Sequence, residues 1–191
     1  IKLKFAFQTR IDLIDEEILL WLKKSGCVRI NFGIESGNEK IINTIGKGID
    51  LNKVNKTINL VKKYNIASLG YFTFGHPGET KENMHETLKF AMSIPLTYVM
   101  FMEIVPYIDT KLHELHKKNI GNYWENNIDL FNKNRIDRVG TKLTHKEASN
   151  FIDYSYRKFY LRPKQIIMII RHVHSFKELI GYIKAGITYV F

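Results

Sequence analysis

Hydrophobic and polar positions along this chain follow two different periods. Short runs with a two-residue repeat, rich in β-branched and aromatic side chains, read as strands. Stretches with apolar positions three and four apart read as helices. Leu3 to Phe7 predicts a strand that ends in the polar group Gln8-Thr9-Arg10. Asp15 then stands as an N-cap before Glu16–Lys24, with acids in the first turn, lysines in the last and Gly26 as the stop. Val28 to Ile34 predicts a second strand. Glu39 to Ile45 predicts a short helix ending at Gly46-Lys47-Gly48. Asp50 opens a longer helix with Val54, Ile58 and Val61 on one face and lysines on the other. Ala67 to Phe74 is an aromatic-rich strand broken at Gly75-His76-Pro77-Gly78. Thr80 caps a helix through Met92, Tyr98 to Val105 is a fourth strand, and Lys111 to Lys118 a further helix.

The strand–helix order repeats four times in about 100 residues, which predicts parallel strands with right-handed crossovers and an α/β fold. A doubly wound sheet and a segment of a (β/α) barrel both fit. The turns after the strands are rich in Gly, Pro and Asp, so the polar residues gather at one end of the sheet. From Gly121 to Val139 the pattern dissolves into a loop or lid. Thr144-His145-Lys146-Glu147 is a capping box for a helix to Tyr160. Pro163 to Arg171 predicts another helix, and Ser175 caps a last one from Phe176 to Tyr189. The chain therefore divides into α/β repeats over 1–120, a loop or lid over 121–143 and an all-helical extension over 144–191.

With 191 residues, the chain is long enough for one domain with a substantial core. A net charge of +10 is compatible with an anionic partner, and equally with a solvated face of lysines. There is one cysteine, Cys27, so this chain alone makes no disulfide and no cysteine-only zinc or iron–sulfur site. Unpaired cysteine usage and the absence of a signal peptide or transmembrane-length apolar run lean towards the cytoplasm. Ile1 falls within an apparent strand, so a preceding segment is expected.

Chemistry concentrates in Val28 to Glu39. A buried strand delivers Glu35 and Ser36 to its carboxyl end, where parallel α/β folds bind ligands. A carboxylate there holds an ammonium, an amide or a hydroxyl. In the other reading, Glu35 caps the next helix and offsets its N-terminal partial charge.

Three motifs in this order carry a resemblance: Phe32-Gly33-Ile34-Glu35-Ser36-Gly37, Ile45-Gly46-Lys47-Gly48-Ile49 and Phe74-Gly75-His76-Pro77-Gly78-Glu79-Thr80. Together they resemble radical S-adenosylmethionine (radical SAM) enzymes. Gln8-Thr9-Arg10-Ile11-Asp12 and Tyr156-Arg157-Lys158-Phe159-Tyr160-Leu161-Arg162-Pro163 are similar to the class with a cobalamin-binding domain ahead of the barrel. The resemblance implies a parallel-stranded partial TIM-type barrel, of which this chain holds the C-terminal part, entering at about the third strand. It also implies S-adenosylmethionine, a [4Fe–4S] cluster on a CxxxCxxC loop that this chain lacks, and cobalamin through a preceding domain.

By the same resemblance, Glu35 lies near the cofactor's ribose and methionine groups, and Lys47 is suited to the methionine carboxylate. The other reading of Lys47 is a helix C-terminal lysine offsetting the dipole. Arg10 pairs with a carboxylate of the ligand or with Asp12 or Glu35. The turn at Gly75 and Pro77 lets backbone approach the adenine, and Val105 stands at the exit of the strand beside it. Gln8, Gly33 and Ser36 complete the cofactor-binding candidates, and His76 reads as structural.

The expected function is the cofactor- and substrate-binding portion of a cobalamin-dependent radical SAM enzyme, for methyl transfer or radical rearrangement, inactive by itself. Its expected partners are a small-molecule or lipid-like substrate and the preceding cluster and cobalamin domains. A degenerate barrel acting as a binding module is one competing reading. A basic domain on a membrane surface, docked through the C-terminal helices, or on RNA is another. No aromatic–basic interleaving on the strands supports nucleic acid.

Overall fold

The apolar runs form the strands because each pairs with the next in sequence. In a computed structural model, which describes residues 3–105, 107, 110–112, 114, 143–173, 175, 177–178 and 180–181, four parallel strands make one sheet. They are β1 (Phe5–Thr9), β2 (Cys27–Glu35), β3 (Ala67–Phe74) and β4 (Tyr98–Glu103), in the order β1-β2-β3-β4. The crossovers are α1 (Glu16–Ser25), then α2 (Glu39–Thr44) with α3 (Leu51–Lys63), then α4 (Lys81–Ser93).

This order settles the choice left open by the sequence. A doubly wound sheet reverses its strand order at a switch point and carries helices on both faces. Here the order never reverses. Ile30, Phe32 and Ile34 of β2, Phe72 and Phe74 of β3 and Phe101 of β4 are buried in one cluster with Leu19 of α1, Val54, Ile58 and Val61 of α3 and Leu88 of α4. The alternate positions, Asn31, Tyr71 and Thr73, are half-buried, and Met100 and Met102 are exposed. A parallel sheet with helices on one face and a polar, accessible opposite face is a barrel wall, and the polar face is its interior.

Two further helices follow, α5 (His145–Tyr160) and α6 (Pro163–Ile170). Phe151 of α5 meets Phe74 edge-on at 5.2 Å between ring centroids, and Phe159 is fully buried. The hydroxyl of Tyr160 donates to Val99 O (2.8 Å) and accepts from Val99 N (2.9 Å). The hydroxyl of Tyr156 does the same with Phe101 O and N, both at 3.1 Å. Four helical residues advance about 6 Å and two strand residues about 6.6 Å, so tyrosines one turn apart reach successive outward-facing peptide groups of the strand. Gln165 of α6 donates to Leu96 O (3.0 Å) and Thr97 O (2.7 Å), pinning the second helix beneath the same strand.

Strand boundaries differ from the sequence reading where pairing overrides local pattern. β1 begins at Phe5 and extends to Thr9, because Gln8 and Thr9 pair with Asn31 and Phe32. A 3₁₀ turn over Ile11–Leu13 follows it. β2 reaches Glu35, and β4 stops at Glu103, two residues before Val105. The capping box at Thr144 is present, and Asn83 completes a second one with Thr80. The helix expected over Lys111–Lys118, the loop over 121–143 and the last helix, Phe176–Tyr189, lie mostly outside the described residues.

Candidate functional site

At the carboxyl end of β2 the pairing register with β3 slips between Gly33 and Glu35. Glu35 has a φ of 72°, in the left-handed region. A non-glycine residue there costs on the order of 1–3 kcal/mol, which surrounding contacts must offset. The contacts are present. The Glu35 carboxylate lies over Gly33: a Cβ on residue 33 would stand 2.7 Å from Glu35 Oε1 and 2.8 Å from Lys47 Nζ. The missing side chain of Gly33 is what makes room for both.

Lys47 reaches this point through the way α2 ends. Gly46, with φ 65°, donates its N–H to Asn43 O (3.1 Å), and Lys47 N donates to Ile42 O (3.3 Å). These two bonds are a Schellman motif, which turns the chain sharply at the glycine. The ammonium of Lys47 then donates to Glu35 Oε1 at 2.5 Å, and each side chain is about a quarter exposed. This is a charge-assisted bond at the polar edge of the barrel interior.

The second carboxylate oxygen is also held. Thr73 Oγ1 donates to Glu35 Oε2 (3.1 Å) and lies 2.8 Å from Nε2 of His76. His76 opens the turn after β3. Glu79 N donates to His76 O (3.0 Å), with Pro77 and Gly78 (φ 74°) between them, which is a type II turn. The buried carboxylate of Glu79 folds back to accept from Gly75 N (2.5 Å) and His76 N (3.1 Å), bracing the turn. His76 is 2% exposed. Burial lowers its pKa to about 4 against the opposing pull of Glu35, so the ring is neutral.

The structure thus brings Gly33, Glu35 and Lys47 into one cluster, and Gly75 and Pro77 into the turn that carries His76. Gln8 pairs in register with Asn31 and shares the polar face, where Asn31 accepts from Arg29 Nε (3.1 Å) and donates to the Tyr71 hydroxyl (3.4 Å). Val105 is half-buried just past β4, beside Ile104, whose N–H donates to Phe74 O (2.8 Å).

Two candidates stand elsewhere. Ser36 is fully buried, its Oγ 2.9 Å from Thr87 Oγ1, and it accepts from Asn38 N (3.1 Å), so its hydroxyl ties the turn to α4. Arg10 forms a two-point pair with Asp12 at 3.0 and 2.9 Å on the surface. The helix-capping reading of Glu35 is corrected: Asn38 caps α2, accepting from Ile41 N at 2.9 Å, which leaves the Glu35 carboxylate for Lys47.

Thr73 and Glu79 were not singled out by the sequence. Thr73 follows Tyr71 by two positions in β3, and that alternation places it on the polar face. Glu79 carries no signal beyond its place after Pro77-Gly78. Among the described residues no three His, Cys, Asp or Glu side chains are grouped to hold a metal ion. Cys27 is buried, and burial raises its thiol pKa.

Residues 2–91 match the sequence profile of the radical SAM superfamily. The chain is 32% identical over 177 residues to an uncharacterized methyltransferase of Pyrococcus horikoshii, covering 91% of this chain and 38% of that protein. It is 27% identical over 104 residues to bacteriochlorophyllide d C-12(1)-methyltransferase of Chlorobaculum tepidum, covering 53% of this chain and 23% of that protein. The chain therefore spans well under half the length of these relatives. Among solved structures, the Elp3 protein of Methanocaldococcus infernus shares the fold, with a TM-score of 0.62 at 17% identity over 84% of this chain and 33% of that one. The profile match covers β1, β2 and β3 of the one-sided parallel wall and ends before β4, and that segment of the chain belongs to the radical SAM superfamily of enzymes.

Proposed function

We propose that the cluster at the end of β2 is part of an S-adenosylmethionine site, and that this chain supplies a cofactor- and substrate-binding wall of a methyl-transferring enzyme. The observation that carries the reading is the Glu35–Lys47 pair lying over Gly33 at the carboxyl end of a barrel strand. S-adenosylmethionine supplies an electrophilic methyl group or a cleavable carbon–sulfur bond. Its amino-acid end carries a carboxylate, and Lys47 keeps two N–H donors beyond the one given to Glu35. Its ribose carries hydroxyl donors, and the Glu35 carboxylate keeps lone pairs beyond those used by Lys47 and Thr73. The donor set therefore fits both ends of the molecule.

The [4Fe–4S] cluster does not fit this chain's own side chains. Its single cysteine is buried, and no metal-ligand group exists among the described residues. On this reading the cluster's thiolates belong to another part of the protein. Methyl transfer is supported by the activities named for the two relatives. The cobalamin reading rests on the resemblance carried by Gln8–Asp12 and Tyr156–Pro163. The exposed Met100 and Met102 on the interior face support a substrate with an apolar body, because thioether side chains adapt to irregular apolar surfaces.

The test is binding of S-adenosylhomocysteine to the full-length protein by calorimetry. Lys47→Met and Glu35→Gln each weaken it by about tenfold or more, the size expected for a bond to a charged group. Unchanged affinity in both variants overturns the assignment.

A further inference from the structure

His76 stands two hydrogen bonds behind Glu35, with Thr73 between them. Lys47 Nζ, Glu35 Oε1, Glu35 Oε2, Thr73 Oγ1 and His76 Nε2 form one continuous chain, with successive bonds of 2.5, 3.1 and 2.8 Å. The direction of each proton follows from the groups themselves. A carboxylate only accepts, so the single proton of Thr73 points to Glu35. The Thr73 oxygen then accepts from His76, which makes Nε2 the protonated nitrogen of that ring. The other nitrogen agrees: Nδ1 is buried without a hydrogen-bond partner among the described residues. A bare lone pair there is tolerated better than an orphaned N–H.

We propose that His76 is a positioning residue for Glu35. Its Nε2–H commits the Thr73 hydroxyl to the carboxylate. The carboxylate is thereby fixed across Gly33, with its free lone pairs facing the barrel interior. This rests on the reading of Glu35 and Lys47 as cofactor contacts, and it assigns the histidine of the Gly75-His76-Pro77-Gly78 turn a role distinct from the turn's backbone.

The state of the ring is read first, in the unliganded full-length protein, by two-dimensional nitrogen–proton NMR of the histidine side chains. His76 shows the neutral, Nε2-protonated pattern between pH 5.5 and 8. An Nδ1-protonated or a rapidly exchanging ring overturns the proposal without any variant being made. Binding of S-adenosylhomocysteine is then compared across variants. His76→Gln, whose side-chain amide places a donor near the Nε2 position, stays within about threefold of the parent, whereas His76→Leu and Thr73→Val weaken binding by about three- to tenfold. Losses in Glu35→Gln and Lys47→Met with none in His76→Leu and Thr73→Val overturn the relay alone. No loss in any of the four overturns the site assignment beneath it.

Discussion

Gly33 and Lys47 are coupled through space, although fourteen positions separate them along the chain: the Cβ that Gly33 lacks would stand 2.8 Å from Lys47 Nζ. A substitution at the glycine is therefore a substitution in the cluster. Gly33 is not among the residues with positive φ, so its backbone accepts an alanine. The atoms that the new methyl group meets are the ends of two flexible side chains. Gly33→Ala accordingly changes stability by less than about 1 kcal/mol. It displaces the Glu35–Lys47 pair and weakens S-adenosylhomocysteine binding by about tenfold. Thermal unfolding and calorimetry on the same variant separate the two effects.

Ser36 gives the opposite pattern. Its hydroxyl is buried against Thr87, and Thr87 Oγ1 also accepts from Gly37 N at 3.0 Å. Thr87→Val leaves a buried hydroxyl and a backbone N–H without that partner. It lowers stability by about 1–3 kcal/mol in denaturant unfolding, and it leaves the affinity of the folded protein for S-adenosylhomocysteine within about twofold, well inside one hydrogen bond's worth.

His76 makes stability depend on pH. Its folded-state pKa is about 4, below the ordinary value of 6.5, because burial outweighs the attraction of Glu35 while Lys47 adds to the lowering. Between those values the unfolded chain binds more protons than the folded one. The contribution is complete above pH 6.5, declines as pH falls towards 4, and is flat below. At its largest it is about 3 kcal/mol. Denaturant unfolding from pH 7.5 to 4.5 shows a decline that His76→Gln, which has no titrating ring, reduces.

The paired tyrosines of α5 satisfy both peptide groups of Val99 and of Phe101. Tyr160→Phe removes two of those bonds and lowers stability by about 1–3 kcal/mol. Amide exchange at Val99 accelerates in that variant, and at Phe101 in Tyr156→Phe. If both amides keep the parent's protection, the hydroxyls do not close this edge.

The repeat of strands and helices was legible because the strand runs are short, apolar and aromatic-rich, and the helices between them open on caps. Asp15, Thr80 and Thr144 cap the helices expected of them. Glu35 and Lys47 were both legible as candidate site residues, but their pairing was not. It depends on a register slip between two strands, which has no signature in single-residue spacing, and on the direction in which the Schellman turn at Gly46 sends Lys47. Thr73 was missed for a related reason, since it acts by bonding to Glu35 in another strand, whereas Glu79 stood in the quoted motif and braces its own turn through Gly75 N and His76 N. The cap of α2 falls to Asn38 and not to Glu35 for the same cause, since the Glu35 carboxylate is taken by Lys47 and Thr73 while Ser36 turns inward to Thr87.

Closing one edge with tyrosine hydroxyls makes the sheet one-ended. Val99 and Phe101 have no free peptide group to offer a further strand, whereas β1 pairs only with β2 among the described residues. Among the described strands, β1 is thus the edge whose peptide groups no other element's side chain is shown to close along its length. Self-association by edge-to-edge pairing is confined to that same side, and loss of the tyrosine hydroxyls would open a second growth front.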